Sequence, residues 1–362
     1  MKAIKLFFML MVLCSLNSCD KQVQQSKKLK MKLVMAIDMV RHGDRAPLIW
    51  SPNLMKGIWT EKEMGQLTKK GAIESEEVGK NFKQYYVDNL QFLSSTASPE
   101  SVYVRSTNYP RTKDTAKAIL KGMFGDSSKN LTVEAKEKKD DPVFAPFYKY
   151  KSFHEKIDKT LLKNSPKSFA EKLKSGASYI NKRHGTSYLN LYDLVEMSNI
   201  IDVGRIHKKP LPQNVTKSEA DELTSLSDQT YLYIPSIPAR NCFNARDSME
   251  EVAGFLENKS NNKIKYKYIL LTLHDINITA ALKFLGHNIT KRPKYNANIR
   301  FELLKLGDES FIRTKFDQKT IKVCQQELCS FDEFKQLIAN NIVNQCSDFN
   351  VNQDYLKTVG II

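Results

Sequence analysis

The apolar run Leu33 to Met39 (LVMAIDM) leads directly into Arg41-His42-Gly43-Asp44-Arg45-Ala46-Pro47. Seven mostly apolar residues are short for a helix and suit a strand buried on both faces. A chain that leaves such a strand into two arginines and a histidine delivers those charges to the strand's end, where open α/β sheets place their ligands. The arrangement recurs: SVYVR at 101–105 ends on Arg105, and YKYILLTL at 266–273 runs into His274-Asp275. Helical spacing fills the intervals, over about 65–93 and 110–123, with Pro110 in a first turn, and over 277–285, with Gly286 as a stop. Leu131–Ala135 reads as a further strand, 299–305 and 311–316 as two strands around Gly307-Asp308, and 331–343 as a closing helix. Strands alternating with helices predict an α/β fold, a mostly parallel central sheet flanked by helices.

The stretch from about 142 to 235 is different: Lys, Ser, Tyr and Leu recur at helical spacing without a buried strand. It predicts a smaller helical cap inserted into an α/β domain made of 31–141 and 236–362. A length of 362 residues, 41% hydrophobic and 27% charged, accommodates this as a folded globular protein. The net charge of +16 is scattered, with no basic stripe interleaved with aromatics and no finger spacing. That argues against a nucleic-acid partner and leaves a solvated cationic surface or a field that attracts anionic substrates.

The first residues predict export. Lys2 and Lys5 precede an apolar run, Leu6–Leu13, too short to span a bilayer. Residues 1–18 read as a signal peptide and 19–30 as a polar tether. Leu16-Asn17-Ser18-Cys19 is similar to a bacterial lipobox, which makes Cys19 a lipidation candidate, although Asn17 is unusual there and simple cleavage is the alternative. The expected location is the periplasm of a bacterium or its membrane, through a lipid anchor. Cys242, Cys324, Cys329 and Cys346 are then free to form disulfides in any of three connectivities. Cys324 and Cys329 suit a tight loop, which would leave Cys242 for Cys346. No paired cysteine and histidine spacing points to zinc.

Phosphoryl transfer needs an in-line nucleophile, cationic donors around the equatorial oxygens and an acid for the leaving group. Arg41–Pro47 supplies the first two. His42 can attack phosphorus through a neutral ring nitrogen, giving a phosphohistidine that water hydrolyses. Arg41 and Arg45 carry planar forks that match phosphate oxygens. Gly43 allows close backbone approach, and Pro47 stiffens the exit. Arg105 would add a third guanidinium, His274 a hydrogen bond to phosphate, and Asp275 the proton for the leaving oxygen. Taken singly these are ordinary residues: a strand-end arginine, or an aspartate capping a helix. Their convergence on one sheet edge is what carries the reading. Arg183-His184-Gly185 repeats the tripeptide without a preceding strand, second arginine or proline, and is assigned no catalytic role.

With RHGDRAP at 41–47, LTKKG at 67–71, VRSTNYPRT at 104–112, HD at 274–275 and PKYNANIRFEL at 293–303, the chain resembles the histidine acid phosphatases. This is the branch of the histidine phosphatase superfamily that includes prostatic acid phosphatase and bacterial phytases. The resemblance covers roughly residues 31–350 and is weakest in the cap. It implies an α/β sandwich with a helical cap, His42 as nucleophile, Asp275 as proton donor, and Arg41, Arg45, Arg105 and His274 as phosphate-binding residues. It implies no metal or organic cofactor, and small phosphomonoesters as substrates. Asn277, where the animal enzymes typically have threonine, leans toward the phytase pattern. The expected function is an acid phosphatase; the alternatives are a phytase or sugar phosphatase, a phosphotransferase or mutase, and an inactive phosphate-binding surface lipoprotein. No feature of the sequence assigns an oligomeric state.

Overall fold

The computed structural model describes residues 31–141 and 191–358, apart from 49, 51–54, 56, 213–214, 349 and 351, together with isolated positions between 142 and 190. The signal and tether, Cys19, Arg183-His184-Gly185 and most of 142–190 lie outside the described residues.

Among the described residues seven strands form one sheet: β1 (Lys32–Arg41), β2 (Val102–Ser106), β3 (Tyr268–Leu273), β4 (Asn298–Leu306), β5 (Glu309–Phe316), β6 (Lys319–Ile321) and β7 (Leu328–Ser330). The order is β2-β3-β1-β4-β5-β6, with β7 also on β5. The three strands that carry the motifs are the parallel ones, since β3 pairs in parallel with both β1 and β2. The remaining pairings are antiparallel. The sheet is therefore mixed, and parallel only where the motifs sit. The antiparallel half arises because β4 returns alongside β1 and turns back into β5 at Gly307, whose φ of 61° suits a tight reversal. Leu131–Ala135 forms no strand; it contributes one bridge, Glu134 beside Arg105.

Alternation along β1 divides the core. Met35, Ile37 and Met39 join Ile269, Leu271, Phe301 and Phe334 on one face. Ala36 and Val40 join Phe82, Tyr86, Val104, Ile119 and Leu270 on the other. Full burial of each large apolar side chain contributes about 1.5–3 kcal/mol, so a one-residue slip of register is heavily penalised. The second face is covered by α1 (Lys69–Lys83) and α2 (Pro110–Phe124), capped by Thr68 and opened by Pro110 respectively. Three further helices contribute to the first face: α5 (Pro238–Ser260), α6 (Asp275–Phe284) and α7 (Phe331–Gln345). Between these groups in the chain lie α3 (Leu191–Ile206) and α4 (Lys217–Tyr233). Their Ile200, Val203, Leu223 and Tyr233 pack with Ala46 of the first motif and Trp59 from the segment after it.

Cys242 pairs with Cys346, tying α5 to the end of α7, and Cys324 pairs with Cys329. Such cross-links suit an oxidising compartment. Among the described residues no helix is long and apolar enough to cross a membrane.

Candidate active site

Strand register brings the motifs together. Arg41, the last residue of β1, lies opposite Leu273, the last of β3, so His42 and His274 emerge side by side. Their ring centroids are 5.6 Å apart. The His42 amide donates to the Leu273 carbonyl at 2.8 Å, and the Thr107 amide donates to the Thr272 carbonyl at 3.1 Å, which brings in the exit from β2. Gly43 is required here: a Cβ would lie 2.5 Å from Ser75 Oγ and 2.8 Å from the Gly71 carbonyl oxygen.

His42 is 2% exposed, and its Nδ1 lies 2.8 Å from the Gly43 carbonyl oxygen. A carbonyl only accepts, so Nδ1 carries the proton and Nε2 keeps its lone pair. Burial, then Arg111, Arg41 and Arg45, hold its pKa well below that of an ordinary histidine. The ring therefore favours its neutral form. His274 is neutral by the same causes, burial first and Arg111 next. Its Nδ1 lies 3.3 Å from an Arg111 nitrogen that can only donate, which leaves Nε2–H to donate to Thr107 Oγ1 at 3.1 Å.

Arg41 ion-pairs with Asp275 at 2.9 Å, donates to the Pro293 carbonyl and lies over the Tyr295 ring at 4.3 Å. Arg45 is 2% exposed and donates to Asn199 Oδ1 on α3 at 3.0 Å. Asp275 opens α6 and also meets Arg292, through Nε at 3.1 Å and a terminal nitrogen at 3.0 Å. Burial works against the charge on Asp275, but Arg41 and Arg292 outweigh it and hold the carboxyl well below the usual carboxylate range. The resting site thus holds Asp275 ionised. Asp44 faces away from this cluster, accepting from Thr68 Oγ1 and pairing with His207 Nε2, each at 2.6 Å.

Arg105 departs from expectation. Its terminal nitrogens engage Asp141, at 2.7 Å, and Glu251. The guanidinium that bears on His42 and contacts His274 belongs instead to Arg111, in the first turn of α2. A strand-end side chain points to one face of the sheet, whereas the first turn of the following helix comes back over the strand end. Arg111 lay within the quoted VRSTNYPRT motif, two residues into a Pro-initiated helix, and that position was the available signal. Tyr295 stands in the PKYNANIRFEL stretch, whereas Arg292 and Asn199 carry no local signal. Asn277 is buried and its Oδ1 accepts from the His274 amide at 3.2 Å, so it serves as a cap.

Residues 32–317 match the histidine phosphatase superfamily (branch 2). A probable acid phosphatase of Dictyostelium discoideum is 24% identical over 288 residues, 70% of this chain and 60% of that protein. Human lysophosphatidic acid phosphatase type 6 is 24% identical over 286 residues, 75% of this chain and 65% of its own length. The chain thus spans somewhat under two thirds of these curated relatives. Among solved structures, Hafnia alvei phytase in complex with tartrate superposes with a TM-score of 0.66 at 15% identity, over 87% of this chain and 98% of that one. Klebsiella sp. ASR1 phytase gives 0.66 at 15% identity, over 89% and 99%. At such identities the likeness is one of fold.

Proposed function

The chain belongs to branch 2 of the histidine phosphatase superfamily, and we propose that it hydrolyses phosphate monoesters through a phosphohistidine formed on His42. The observation that carries this reading is a neutral His42 whose Nδ1 is committed to the Gly43 carbonyl, with Arg41, Arg45 and Arg111 as the charges bearing most on it. Nε2 attacks phosphorus, the bond to the leaving oxygen breaks, and Asp275 gives that oxygen a proton. Water then attacks the phosphohistidine, the P–N bond breaks, and Asp275 takes the water's proton. Arg41, Arg45 and Arg111 hold the phosphoryl oxygens, joined by His274 once its Nε2–H turns from Thr107 Oγ1 to the phosphate; Arg105 is replaced in this set by Arg111.

An acidic optimum follows from the state of Asp275. Because the resting site holds it ionised, its proton has to arrive from solvent or with the substrate. A phosphomonoester becomes a monoanion below its second pKa of about 6, and that form brings the proton. Burial and the arginines around His42 favour its neutral form. Small phosphomonoesters are the proposed substrates; the names of the relatives span acid phosphatase, lysophosphatidic acid phosphatase and phytase, and Asn277 no longer favours phytate.

The test is His42→Ala and Asp275→Asn assayed on an alkyl and an aryl phosphate. His42→Ala abolishes turnover of both. Asp275→Asn slows the alkyl ester far more, because nitrophenolate leaves without a proton. Equal losses on both esters would remove Asp275 as the donor. Transfer of phosphate to an added sugar would favour a transferase, and no hydrolysis between about pH 4 and 7 would favour an inactive binding protein. Residues 142–235 are proposed as the cap over the leaving group, supported by the packing of α3 and α4 on the segment after the first motif. Export through residues 1–18, with Cys19 as the lipid-bearing residue in a bacterial envelope, is supported by the order of charge and apolar residues there. The mass of the mature N-terminus tests it.

A further inference from the structure

Resting on that reading, we propose that Arg292 is a positioning residue for Asp275: it holds the carboxylate by a two-point contact and so governs the pH range over which Asp275 gives its proton to a poor leaving group. Both contacts, from Nε at 3.1 Å and a terminal nitrogen at 3.0 Å, fall on Oδ2, the oxygen that Arg41 also meets at 2.9 Å. Arg292 is itself only 12% exposed and its guanidinium lies 4.7 Å from the centre of the Tyr231 ring, so the fork is fixed before substrate arrives. It comes from the connection between α6 and β4, the same short segment that gives Arg41 the Pro293 carbonyl and places Tyr295 against Arg41 and His42.

Arg292 acts on the acid and not on the nucleophile. The charges bearing most on His42 are Arg111, Arg41 and Arg45, whereas those on Asp275 are Arg41 and Arg292, followed by His42 and Arg45. The other groups that face the pair are His274 beside Asp275, Tyr231 and Asp228 from α4, and Asp202 from α3. Burial and the nearby Asp228 push Asp202 up to about 6, with Arg292 and Arg205 opposing them. Asp202 and Asp228 thus feel the Arg292 charge as Asp275 does. A donor must be protonated to act, so a cation that favours its charged form lowers the pH at which donation fails.

The experiment compares wild type, Arg292→Gln and Arg292→Lys over a pH series, on 4-nitrophenyl phosphate and on glycerol phosphate. In Arg292→Gln the upper-pH limb of kcat for glycerol phosphate moves up by about one unit, the effect of removing an adjacent opposite charge. The upper limb of the 4-nitrophenyl phosphate profile and both KM values stay in place, and Arg292→Lys moves the glycerol phosphate limb by about half as much. An unmoved limb overturns the proposal, as does a rise in KM for both esters, which would make Arg292 a substrate-binding cation. Should Arg292→Gln fail to fold, Arg292→Lys carries the same test alone. Absence of hydrolysis by the wild type would instead remove the phosphatase reading itself, and this inference with it.

Discussion

β1 carries two buried charged clusters three residues apart, and they are built on opposite plans. Around Asp38, Oδ1 accepts from Asn298 at 2.8 Å and from Arg300 Nε at 3.0 Å, and Oδ2 accepts from the Tyr86 hydroxyl at 2.8 Å. The Arg300 guanidinium also lies over the rings of Phe82, Tyr85 and Tyr86. One anion meets one cation, and aromatic rings enclose the pair. Around Arg41 and His42, by contrast, the charges bearing most on the histidine are three arginines. Burying charge is tolerable when it is paired, and a buried surplus of one sign marks a place for a ligand of the other. Neither burial nor charge by itself identifies a site; imbalance does.

The comparison is most exposed to substitutions that separate activity from stability. His42→Ala is expected to lower turnover by at least about a thousand-fold, the scale on which a covalent nucleophile counts, with little change in the denaturation midpoint. Arg111→Ala should cost about 10²–10³ in kcat/KM, as for loss of one transition-state donor. Arg105→Met should instead lower stability by about 3–5 kcal/mol, because the buried Asp141 and the part-buried Glu251 lose the Arg105 charge. If kinetics and denaturant titrations showed Arg105 carrying the activity and Arg111 the stability, the assignment would have to be reversed.

Asp38→Asn tests the balanced cluster: about 3–5 kcal/mol of stability is lost, while kcat per folded molecule is kept. A Asp38→Asn protein that stays folded yet loses turnover would break the contrast. Inorganic phosphate at a hundred times its dissociation constant should stabilise the wild type by about 2.7 kcal/mol, and Arg111→Ala much less at the same concentration. Lowering the pH should also act unevenly. The depressed pKa values of His42 and His274 mean that the unfolded chain takes up protons first, so stability falls as pH drops below about 6.5, the unfolded histidine value. Asp275, also depressed, contributes stability above its unfolded value that is lost as pH falls through its lower folded one. Replacing His274 with Asn should flatten the histidine part of that slope, as read by thermal melting across the pH series; it is the smallest of these effects.

Much of the site was legible because its chemistry is local. Arg41, His42 and Arg45 follow one strand, His274 and Asp275 follow another, and the apolar runs before them mark both strands without any partner being known. The hairpin at Gly307, the helix from Pro110 and the stop at Gly286 are equally local signals. Arg105 and Arg111 show the limit. Both stand in one motif, and which of them faces His42 and His274 depends on the direction a strand end and a helix start take relative to a neighbouring strand. Arg292 lies seventeen positions beyond Asp275, and nothing in that interval foretells the contact.

By itself, then, the sequence determined β1 to β5, the order of the motifs and the histidine proposed as nucleophile, but not β6 and β7, and Leu131–Ala135 forms only a bridge. What it determined follows from apolar periodicity and from the chemistry a side chain carries wherever it sits. The tertiary structure decided the register that sets His42 beside His274, the exchange of Arg105 for Arg111, and the cations that keep Asp275 ionised. Pairing and charge state depend on distances of a few ångströms between segments far apart in the chain, because a charge's stability is set by the groups around it.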